Sequence, residues 1–350
     1  MQNSSSLFTD HVDSTVLQAP PLETEGPQSL IRYLSLQQTD TDEKFERIRL
    51  RDNERQQQPG CFVDGPVAQN RDRWPRVRQF KRNHITLPGC PCGYFNGTHI
   101  ELGDRKYIAT QNPVSVSAFW TVTWDQGVAS IIMLMPGGGN GQDRCARYFP
   151  RDVDEVIKVG DFQITLVENT IEDDRTEVRQ LRVSHGSESR IVWHFAFLAW
   201  PDHGIPVGED KLALLNLIRL SRYGLNAEVP RLVHCSAGVG RTGTFIATDY
   251  LLEQLERGAL DGELEIDPVF ETVDYLREKR MMMVQTEAQY RFIYDTLRWR
   301  WNDMHGEGEE LGTNRSFTFV YGGPRASDKV PKWQGIPQRM EISSESGVDT

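Results

Sequence analysis

A glycine-rich stretch in the second half of the chain combines a cysteine and an arginine at a spacing that suits phosphate chemistry. It reads HCSAGVGRTG (234–243), with five residues between Cys235 and Arg241, which opens a predicted helix. Backbone N–H groups of such an arc can converge on one anion, assisted by the helix dipole. The planar guanidinium of Arg241 can bind two phosphate oxygens, and Cys235 can attack phosphorus in line. The stretch therefore predicts a loop that binds phosphate and carries a nucleophile.

The same glycines also fit the turn that binds dinucleotide cofactors. Gly238, Gly240 and Gly243 form a G-x-G-x-x-G, and that turn usually has an acidic residue about 20 positions further on, after a second strand. Here Glu253 and Glu256 lie inside the predicted helix instead. A buried structural cysteine is a second alternative, but it leaves the arginine and the glycines unexplained. We therefore favour the nucleophilic loop.

The thiol needs help to act as a nucleophile, because a cysteine of ordinary pKa is only a few per cent thiolate at neutral pH. A helix N-terminus contributes at most about 2 kcal/mol to a nearby negative charge. We expect the amides of residues 236–241, the guanidinium of Arg241 and the hydroxyl of Thr242 to contribute the remainder. His234 is expected to support the loop by hydrogen bonding rather than to act as a base.

Residues 234–243 resemble the catalytic loop of the protein tyrosine phosphatases, and two distant segments strengthen the resemblance. WPDHGIP (200–206) resembles the mobile acid loop of that family, and its Asp202 precedes the cysteine by 33 residues. The resemblance implies that Asp202 is the general acid and then the general base. QTEAQY (285–290) resembles the loop whose first glutamine, here Gln285, positions the hydrolytic water. Alone, the first segment would be a turn and the second a helix cap.

The resemblance also implies a set of site residues. The catalytic set is Cys235, Arg241, Asp202 and Gln285. The substrate-binding set is His234, Ser236, Ala237, Gly238, Val239, Gly240, Thr242, Gln289 and Trp74.

The arrangement of elements predicts an α/β (α+β) fold in a single domain. Strand-like runs that can pair through hairpins are followed by helical patterns, one from about 242 to 257 and one that begins at Asp267-Pro268. The blocks 94–98, 107–111 and 144–150 extend the resemblance over roughly residues 45–300, which implies a highly twisted mixed β-sheet flanked by helices. Polar composition predicts flexible tails at 1–28 and 304–350, which leaves 29–303 as the catalytic domain.

The segment that should recognise the peptide departs from the family pattern. Alignment on Arg73 and Val77 places Trp74 where the family has a stacking tyrosine, and Arg76 where it has an acidic or amide residue. Trp74 can still form an aromatic wall of the slot. Arg76 cannot accept hydrogen bonds from substrate amides, so we expect acidic flanking residues to be tolerated better than usual. A register shifted by a few residues remains an alternative.

Three other segments differ from the family. GGGNGQD (137–143) replaces a loop that commonly carries a glutamate bracing the catalytic arginine, so Arg241 is expected to be held differently. Met282 stands where several relatives have glycine and would narrow a secondary pocket, although it also fits a plain core position. Cys90-Pro91-Cys92 has no matching pair or histidine cluster, which predicts an inserted loop rather than a metal site.

Composition limits the class of protein. The 350-residue chain has a net charge of −11, which argues against a nucleic-acid partner because binding the phosphate backbone needs a basic face. Five scattered cysteines form no disulfide framework, and no signal peptide or membrane-spanning run is found. We expect a cytoplasmic monomer, with the nucleus as a further compartment, no membrane partner and no cofactor or metal.

The leading hypothesis is hydrolysis of phosphotyrosine in proteins through a cysteinyl-phosphate intermediate. One alternative is a phosphotyrosine-binding module without catalysis, although nucleophile, arginine, acid and glutamine are all present. A second is a phosphatase for phosphoserine or phosphoinositide, which shares the Cys-x5-Arg chemistry. The wall at Trp74 and the loop at Gln285 favour a deep slot selective for tyrosine.

Overall fold

The computed structural model describes residues 28–63, 65, 70–87, 93–135, 146–201, 204–222 and 227–306. The helices of this part of the chain are α1 (Leu30–Leu34), α2 (Gln38–Gln57), α3 (Val116–Asp125), α4 (Glu209–Arg222), α5 (Gly240–Glu256), α6 (Pro268–Lys279) and α7 (Glu287–His305). Its strands are β1 (Gln28–Ser29), β2 (His84–Thr86), β3 (Tyr94–Leu102), β4 (Arg105–Thr110), β5 (Ser130–Met133), β6 (Val156–Val159), β7 (Phe162–Glu172), β8 (Thr176–His185), β9 (Glu188–Phe197), β10 (Arg231–His234) and β11 (Glu263–Leu264).

The main sheet is mixed, as the sequence predicts. Its nine strands follow the order β2-β3-β4-β10-β5-β9-β8-β7-β6. The central strands β4, β10, β5 and β9 run parallel, whereas the outer strands pair antiparallel. The antiparallel pairs come from hairpins and the parallel ones from crossovers, which is why both kinds of pattern occur in one domain.

The parallel strands end together at one edge of the sheet. His234, the last residue of β10, pairs with Thr110 of β4 and with Met133 of β5, and Met133 pairs in turn with Ala196 of β9. The loops that follow β10 and β9 therefore leave the sheet side by side. Ligand sites of open α/β sheets form at this edge, so the register brings the two predicted functional loops into one place.

Hydrophobic cores cover both faces of the sheet. Along β10, Leu232 packs into one core with the residues of α3, and Val233 packs into the other with helices α5, α6 and α7. Successive side chains of a strand point to opposite faces, so a central strand between two cores must be apolar throughout. Helices on both faces confirm the predicted architecture.

Two predicted helices are confirmed, with their end signals. The helix expected from about 242 to 257 is α5, which starts two residues earlier, at Gly240. The helix expected at Asp267-Pro268 is α6, and the Oδ1 atom of Asp267 accepts from the backbone N–H groups of Val269 and Phe270. A side chain that accepts from the first free N–H groups is the cap that the sequence indicated.

Candidate active site

The catalytic loop (residues 234–241) joins the end of β10 to the start of α5. The side chain of Cys235 lies at its base and is 5% exposed. The hydroxyl of Thr242, on the first turn of α5, donates to Sγ of Cys235 at 3.3 Å. A hydroxyl donor and a helix N-terminus both favour a negative charge at this sulfur. The structure therefore brings Thr242 to the thiol, as the sequence predicts.

The backbone of the catalytic loop is turned so that its carbonyl groups face the surrounding protein. Backbone N–H groups of Leu134, Asn112 and Val284 donate to the carbonyl oxygens of His234, Ser236 and Val239, at distances of 2.9–3.2 Å. The carbonyl group of one residue and the N–H group of the next point in opposite directions in a trans peptide. The following N–H groups therefore face the concave side, above Cys235, where they form an anion-binding cradle.

Arg280 holds two more carbonyl groups of the loop. Its side chain is buried, and Nε donates to the carbonyl of Gly238 at 2.8 Å while Nη2 donates to that of Ala237 at 3.0 Å. Nη2 also donates to Oδ1 of Asn96 at 2.7 Å. Burial lowers the pKa of Arg280 to about 10, so it remains cationic at neutral pH. A buried cation beneath the loop adds a positive field to the cradle.

Our sequence reasoning did not identify Arg280. It follows α6 within the run REKRMMMV, and nothing local distinguishes it from an exposed arginine. One signal was available: Arg280 comes just before an apolar run, so it could be expected to be buried. A buried charged side chain needs several hydrogen-bond partners.

Two glycines of the G-x-G-x-x-G, Gly238 and Gly243, are needed for close approach to neighbouring backbone. Gly238 has φ of +69°, and a Cβ there would lie less than 3.0 Å from the carbonyl oxygen of Thr110. A Cβ on Gly243 would meet the backbone N of Val284 at 2.5 Å. These contacts are with backbone of β4 and of the segment before α7, which cannot move as a flexible side chain does. The glycines therefore serve the packing of the loop against its neighbours.

Gln285 and Gln289 lie beside the catalytic loop at Gly240. A Cβ on Gly240 would be 3.1 Å from the Oε1 atoms of both glutamines. Oε1 of Gln289 accepts from the backbone N–H of Gln285 at 2.9 Å, and Oγ1 of Thr286 caps α7 by accepting from the N–H of Gln289. The structure therefore places both glutamines against the catalytic loop at Gly240, and the predicted cap is present in the same segment.

Arg241 starts the first turn of α5 and is half-buried. Its Nη1 donates to the carbonyl oxygen of Leu134, which follows β5, at 3.2 Å. We expected this arginine to be held differently from its family counterparts because of the segment 137–143. That segment lies outside the described residues, and the carbonyl of Leu134 supplies one anchor.

Trp74 contacts the catalytic loop directly. Its Nε1 donates to Oγ of Ser236 at 3.2 Å, and its carbonyl accepts from the N–H of Val77 at 2.9 Å. Val77 is buried, as the alignment on this residue requires. This position supports the predicted register, with Trp74 as a wall of the slot above Cys235.

His234 takes part in a buried hydrogen-bond chain. The hydroxyl of Tyr148 lies 2.7 Å from Nε2 of His234 and 2.7 Å from Nε2 of His194, so it donates to one ring and accepts from the other. Burial lowers the pKa of His234 to about 4, and burial with the nearby Arg179 holds the pKa of His194 well below its usual range. Both rings are neutral at physiological pH, which supports a scaffold role for His234.

Asp202, the predicted general acid, lies outside the described residues, but both flanks of the acid loop (residues 200–206) are described. Trp200 is buried, and its Nε1 donates to the carbonyl of Gly204 at 3.0 Å. This bond closes the base of the loop across the aspartate. The loop starts three residues after the end of β9, at the same edge of the sheet as Cys235.

Arg175 joins the two ends of the acid loop and was also missed by the sequence analysis. Its carbonyl accepts from the N–H of Leu198, just before the loop, at 2.8 Å. Its side chain pairs with Asp210 at 2.6 Å and with Glu209 at 2.7 Å, in the first turn of α4 just after the loop. One residue of the β7–β8 hairpin thus contacts described residues on both sides of the acid loop.

Other predicted features fall partly outside the described residues. Cys90 and Cys92 are not described, and the described residues contain no cluster of His, Cys, Asp or Glu suited to a metal ion. Met282 is half-buried with φ of +61° and packs against both neighbouring apolar clusters, which fits both interpretations of this residue. No helix in the described ranges has the length and apolar character needed to cross a membrane.

Comparison with known proteins agrees with this geometry. A family model described as Protein-tyrosine phosphatase matches residues 68–299. Tyrosine-protein phosphatase non-receptor type 2 of Rattus norvegicus is 30% identical over 324 residues, which cover 84% of this chain and 76% of that protein. Phosphatase corkscrew of Drosophila melanogaster is 37% identical over 263 residues, or 70% of this chain and 30% of that protein. The chain belongs to the protein-tyrosine phosphatase family.

Some relatives are much longer than the matched region. The chain is 32% identical over 246 residues to the human protein named Phosphatidylinositol phosphatase PTPRQ, which covers 67% of this chain and only 10% of that protein. Among solved structures, the catalytic domain of human phosphatase non-receptor type 18 has a TM-score of 0.66 at 30% identity. That alignment covers 74% of this chain and 95% of the solved domain, so the likeness extends over one whole catalytic domain.

Proposed function

We propose that this protein hydrolyses phosphotyrosine in proteins through a cysteinyl-phosphate intermediate. The observation that carries the proposal is the cradle: carbonyl groups of the catalytic loop are fixed outwards, and the N–H groups that follow face the space above Cys235. Such a cradle stabilises the equatorial oxygens of a phosphoryl group in transfer. Membership of the family and the presence of every chemical group that the reaction needs support the same conclusion.

In the first step, Sγ of Cys235 attacks phosphorus and the bond from phosphorus to the phenolic oxygen breaks. Arg241 and the amides of residues 236–241 bind the three non-bridging oxygens as charge moves onto the leaving oxygen. Asp202, in its protonated form, gives its proton to that oxygen, so tyrosine leaves as a neutral phenol.

In the second step, water attacks the cysteinyl phosphate. Gln285 orients this water, assisted by Gln289, and both side chains lie next to the loop at Gly240. Asp202, now a carboxylate, takes a proton from the water as the sulfur–phosphorus bond breaks. Inorganic phosphate leaves and the thiolate returns.

Selectivity for tyrosine is expected from the aromatic wall beside the cradle. The bond from Trp74 to Ser236 holds the indole ring next to the catalytic loop. The phenyl ring of phosphotyrosine can pack on this wall, whereas phosphoserine has no ring to do so. One solved structure of the non-receptor type 18 phosphatase is described as a complex with HER2 phosphopeptides, which supports the same substrate class for this chain.

The test compares two variants. Cys235→Ser should abolish turnover of an aryl phosphate, while Asp202→Ala should lower it by about 100-fold or more and retain binding of a phosphotyrosine peptide. Unchanged turnover by the Cys235→Ser protein would refute the proposal. Binding of phosphopeptide with no turnover by the unaltered protein under reducing conditions would instead identify a binding module.

A substrate panel tests the choice of substrate. Matched phosphotyrosine and phosphoserine peptides and a phosphoinositide in detergent micelles should give the highest kcat/KM for phosphotyrosine. Higher activity on the phosphoinositide would favour the substrate class named for the human relative PTPRQ.

We also propose a cytoplasmic location for the protein, with phosphotyrosine-containing proteins as its partners. Two of its relatives are named non-receptor phosphatases, and this supports the proposal. Fluorescence microscopy of the tagged full chain should show cytoplasmic signal, and signal confined to a membrane would contradict it.

A further inference from the structure

The segment beside the slot carries a concentration of positive charge. Residues 71–82 contain six basic residues and one acid in a chain with a net charge of −11. That acid, Asp72, accepts hydrogen bonds from the hydroxyl of Tyr94 and from Nδ2 of Asn96. The carboxylate of Asp72 therefore faces the protein and not the solvent. The electrostatic potential beside the slot is thus positive, although the net charge of the whole chain is negative.

One of these basic residues lies on a rigid turn at the rim of the slot. The bond from the N–H of Val77 to the carbonyl of Trp74 closes a four-residue turn, here called the rim turn (Trp74–Val77). Pro75 occupies its second position, where the fixed φ of proline suits a turn, and Arg76 its third. Trp74 is tied to Ser236 and Val77 is buried, so both ends of the rim turn are anchored.

The side chain of Arg76 is exposed, and it differs from other arginines of this segment in its contacts. Arg71 donates to the carbonyl of Tyr94, Arg82 donates to that of Glu278, and Arg78 stacks 4.0 Å from the ring centre of Phe62. Arg76 has no side-chain hydrogen bond or ion pair with another residue in the described ranges. Its guanidinium is thus available to a group that arrives with the substrate.

The position of Arg76 sets which part of a substrate it can meet. Arg76 lies two positions after Trp74, the slot wall, which is a distance of at most about 7 Å between Cα atoms. A peptide whose phosphotyrosine fills the slot must pass over this rim within about three residues of the phosphotyrosine. A planar guanidinium binds a carboxylate through two parallel hydrogen bonds and repels a lysine.

We propose that Arg76 forms a subsite for an aspartate or glutamate side chain close to the phosphotyrosine, so that the enzyme selects acidic phosphopeptides. This inference rests on the proposed function and names the substrate class of the same slot. Because the rim turn is anchored at both ends, the protein loses little conformational entropy when Arg76 contacts the substrate. A single exposed residue can therefore contribute to selectivity.

The experiment uses three phosphotyrosine peptides of equal length, with acidic, amide or lysine residues on both sides of the phosphotyrosine. We expect the unaltered protein to prefer the acidic peptide over the amide peptide by about threefold to tenfold in kcat/KM. Arg76→Gln should bring this ratio close to one, and Arg76→Glu should invert the order so that the lysine peptide is best. Each rate is divided by the kcat/KM of the same protein for a small aryl phosphate, which has no flanking residues.

Arg182→Gln is the matched control. Arg182 is an exposed arginine on β8, which lies three strands away from β10 in the sheet. Along the β8–β9 pairing it is also six residues away from the end that precedes the acid loop. Its removal should leave the aryl-phosphate rate and the peptide order unchanged. Raising the salt concentration to about 0.5 M should reduce the preference of the unaltered protein and not that of Arg76→Gln.

The outcomes separate the two proposals. Equal hydrolysis of all three peptides by the unaltered protein, or the same preference in the Arg76 variants, would overturn the subsite and leave the phosphatase activity established. No hydrolysis of the aryl phosphate or of any peptide would overturn the proposed function, and this inference with it.

Discussion

The catalytic loop and the rim turn lie side by side at one slot, but their backbones are held in different ways. The carbonyl groups of the catalytic loop bind to elements from distant parts of the chain, such as the segment after β5 and the residue that follows α6. The rim turn is closed by its own hydrogen bond and contacts the loop through one bond from Trp74. The position of the catalytic loop thus depends on contacts with many other elements. Recognition of the substrate depends on a local turn, whose exposed residue can be substituted without loss of those contacts.

Gly238→Ala should have the largest effect, because Gly238 lies where the catalytic loop packs most tightly against its neighbours. The new Cβ would lie less than 3.0 Å from the carbonyl oxygen of Thr110 at a positive φ. We expect a loss of at least about 3 kcal/mol in the free energy of unfolding and of about 100-fold in kcat/KM for an aryl phosphate. Denaturant unfolding and steady-state kinetics measure the two effects.

Gly186→Ala separates the two causes. Gly186 also has a positive φ, of +60°, but no atom lies within 4 Å of a Cβ there. The free energy of unfolding of this variant should fall by only about 1 kcal/mol, and its activity should be unchanged. Equal losses in the two variants would show that backbone strain, and not contact with β4, makes glycine necessary at 238.

Arg280→Met tests whether the orientation of the catalytic loop depends on its buried cation. The carbonyl groups of Ala237 and Gly238 lose the donor that Arg280 supplies, and Oδ1 of Asn96 loses one of its two donors. We expect about 3 kcal/mol less stability and roughly tenfold weaker competitive inhibition by inorganic phosphate. Arg280→Lys should recover part of the phosphate affinity because it keeps the charge.

Arg231→Met is the control for loss of a buried arginine. Arg231 is buried at the opposite end of β10 and pairs with Asp249. Its substitution should reduce stability without changing the inhibition constant for phosphate. If Arg280→Met likewise leaves that constant unchanged, Arg280 is only a structural residue.

The buried histidines beneath the catalytic loop predict a dependence of stability on pH. The pKa of His234 is lowered to about 4, so between about 6.5 and 4 the unfolded chain binds a proton that the folded protein does not. The free energy of unfolding should therefore fall as the pH falls through this window, by about 3 kcal/mol for His234. The contribution of His194 has the same sign, because its pKa is also lowered.

His194→Asn measures this contribution. Asparagine does not titrate, so the slope of stability against pH should become flatter between pH 4.5 and 6.5, by up to about 1.4 kcal/mol per pH unit. His305→Asn removes an exposed histidine and should keep the slope of the unaltered protein. A slope that stays the same in His194→Asn would contradict the assignment.

Trp74→Phe should have the smallest effect, since it removes one bond between the rim turn and the catalytic loop. The phenyl ring keeps an aromatic wall but lacks the donor to Ser236. We expect KM for a phosphotyrosine peptide to rise by about threefold and kcat to stay the same, because one neutral hydrogen bond contributes about 1 kcal/mol. Trp299→Phe, a half-buried tryptophan on α7, should change neither constant. A fall in kcat for Trp74→Phe would mean that the wall also aligns the cradle.

Much of the fold and of the site is predictable because its signals are local. The spacing from Cys235 to Arg241, the cap at Asp267 and the glycines are each contained in a few adjacent residues, and each lies in the predicted element. Arg280 and Arg175 were not predicted, because their partners are carbonyl groups and carboxylates from other elements. No local pattern distinguishes an arginine that binds a loop 40 residues away from one that faces water.

The sequence by itself determined the kind of chemistry, since nucleophile, arginine and amide cradle occupy one continuous stretch with fixed spacing. It also predicted, from the alignment on Arg73 and Val77, that Arg76 stands where the family has an acidic or amide residue. Only the tertiary structure decided how the cradle is held open and which groups support it. The physical reason is that the parallel pairing of β4, β10, β5 and β9 brings the ends of four distant segments together, and hydrogen bonds between them form only after that pairing.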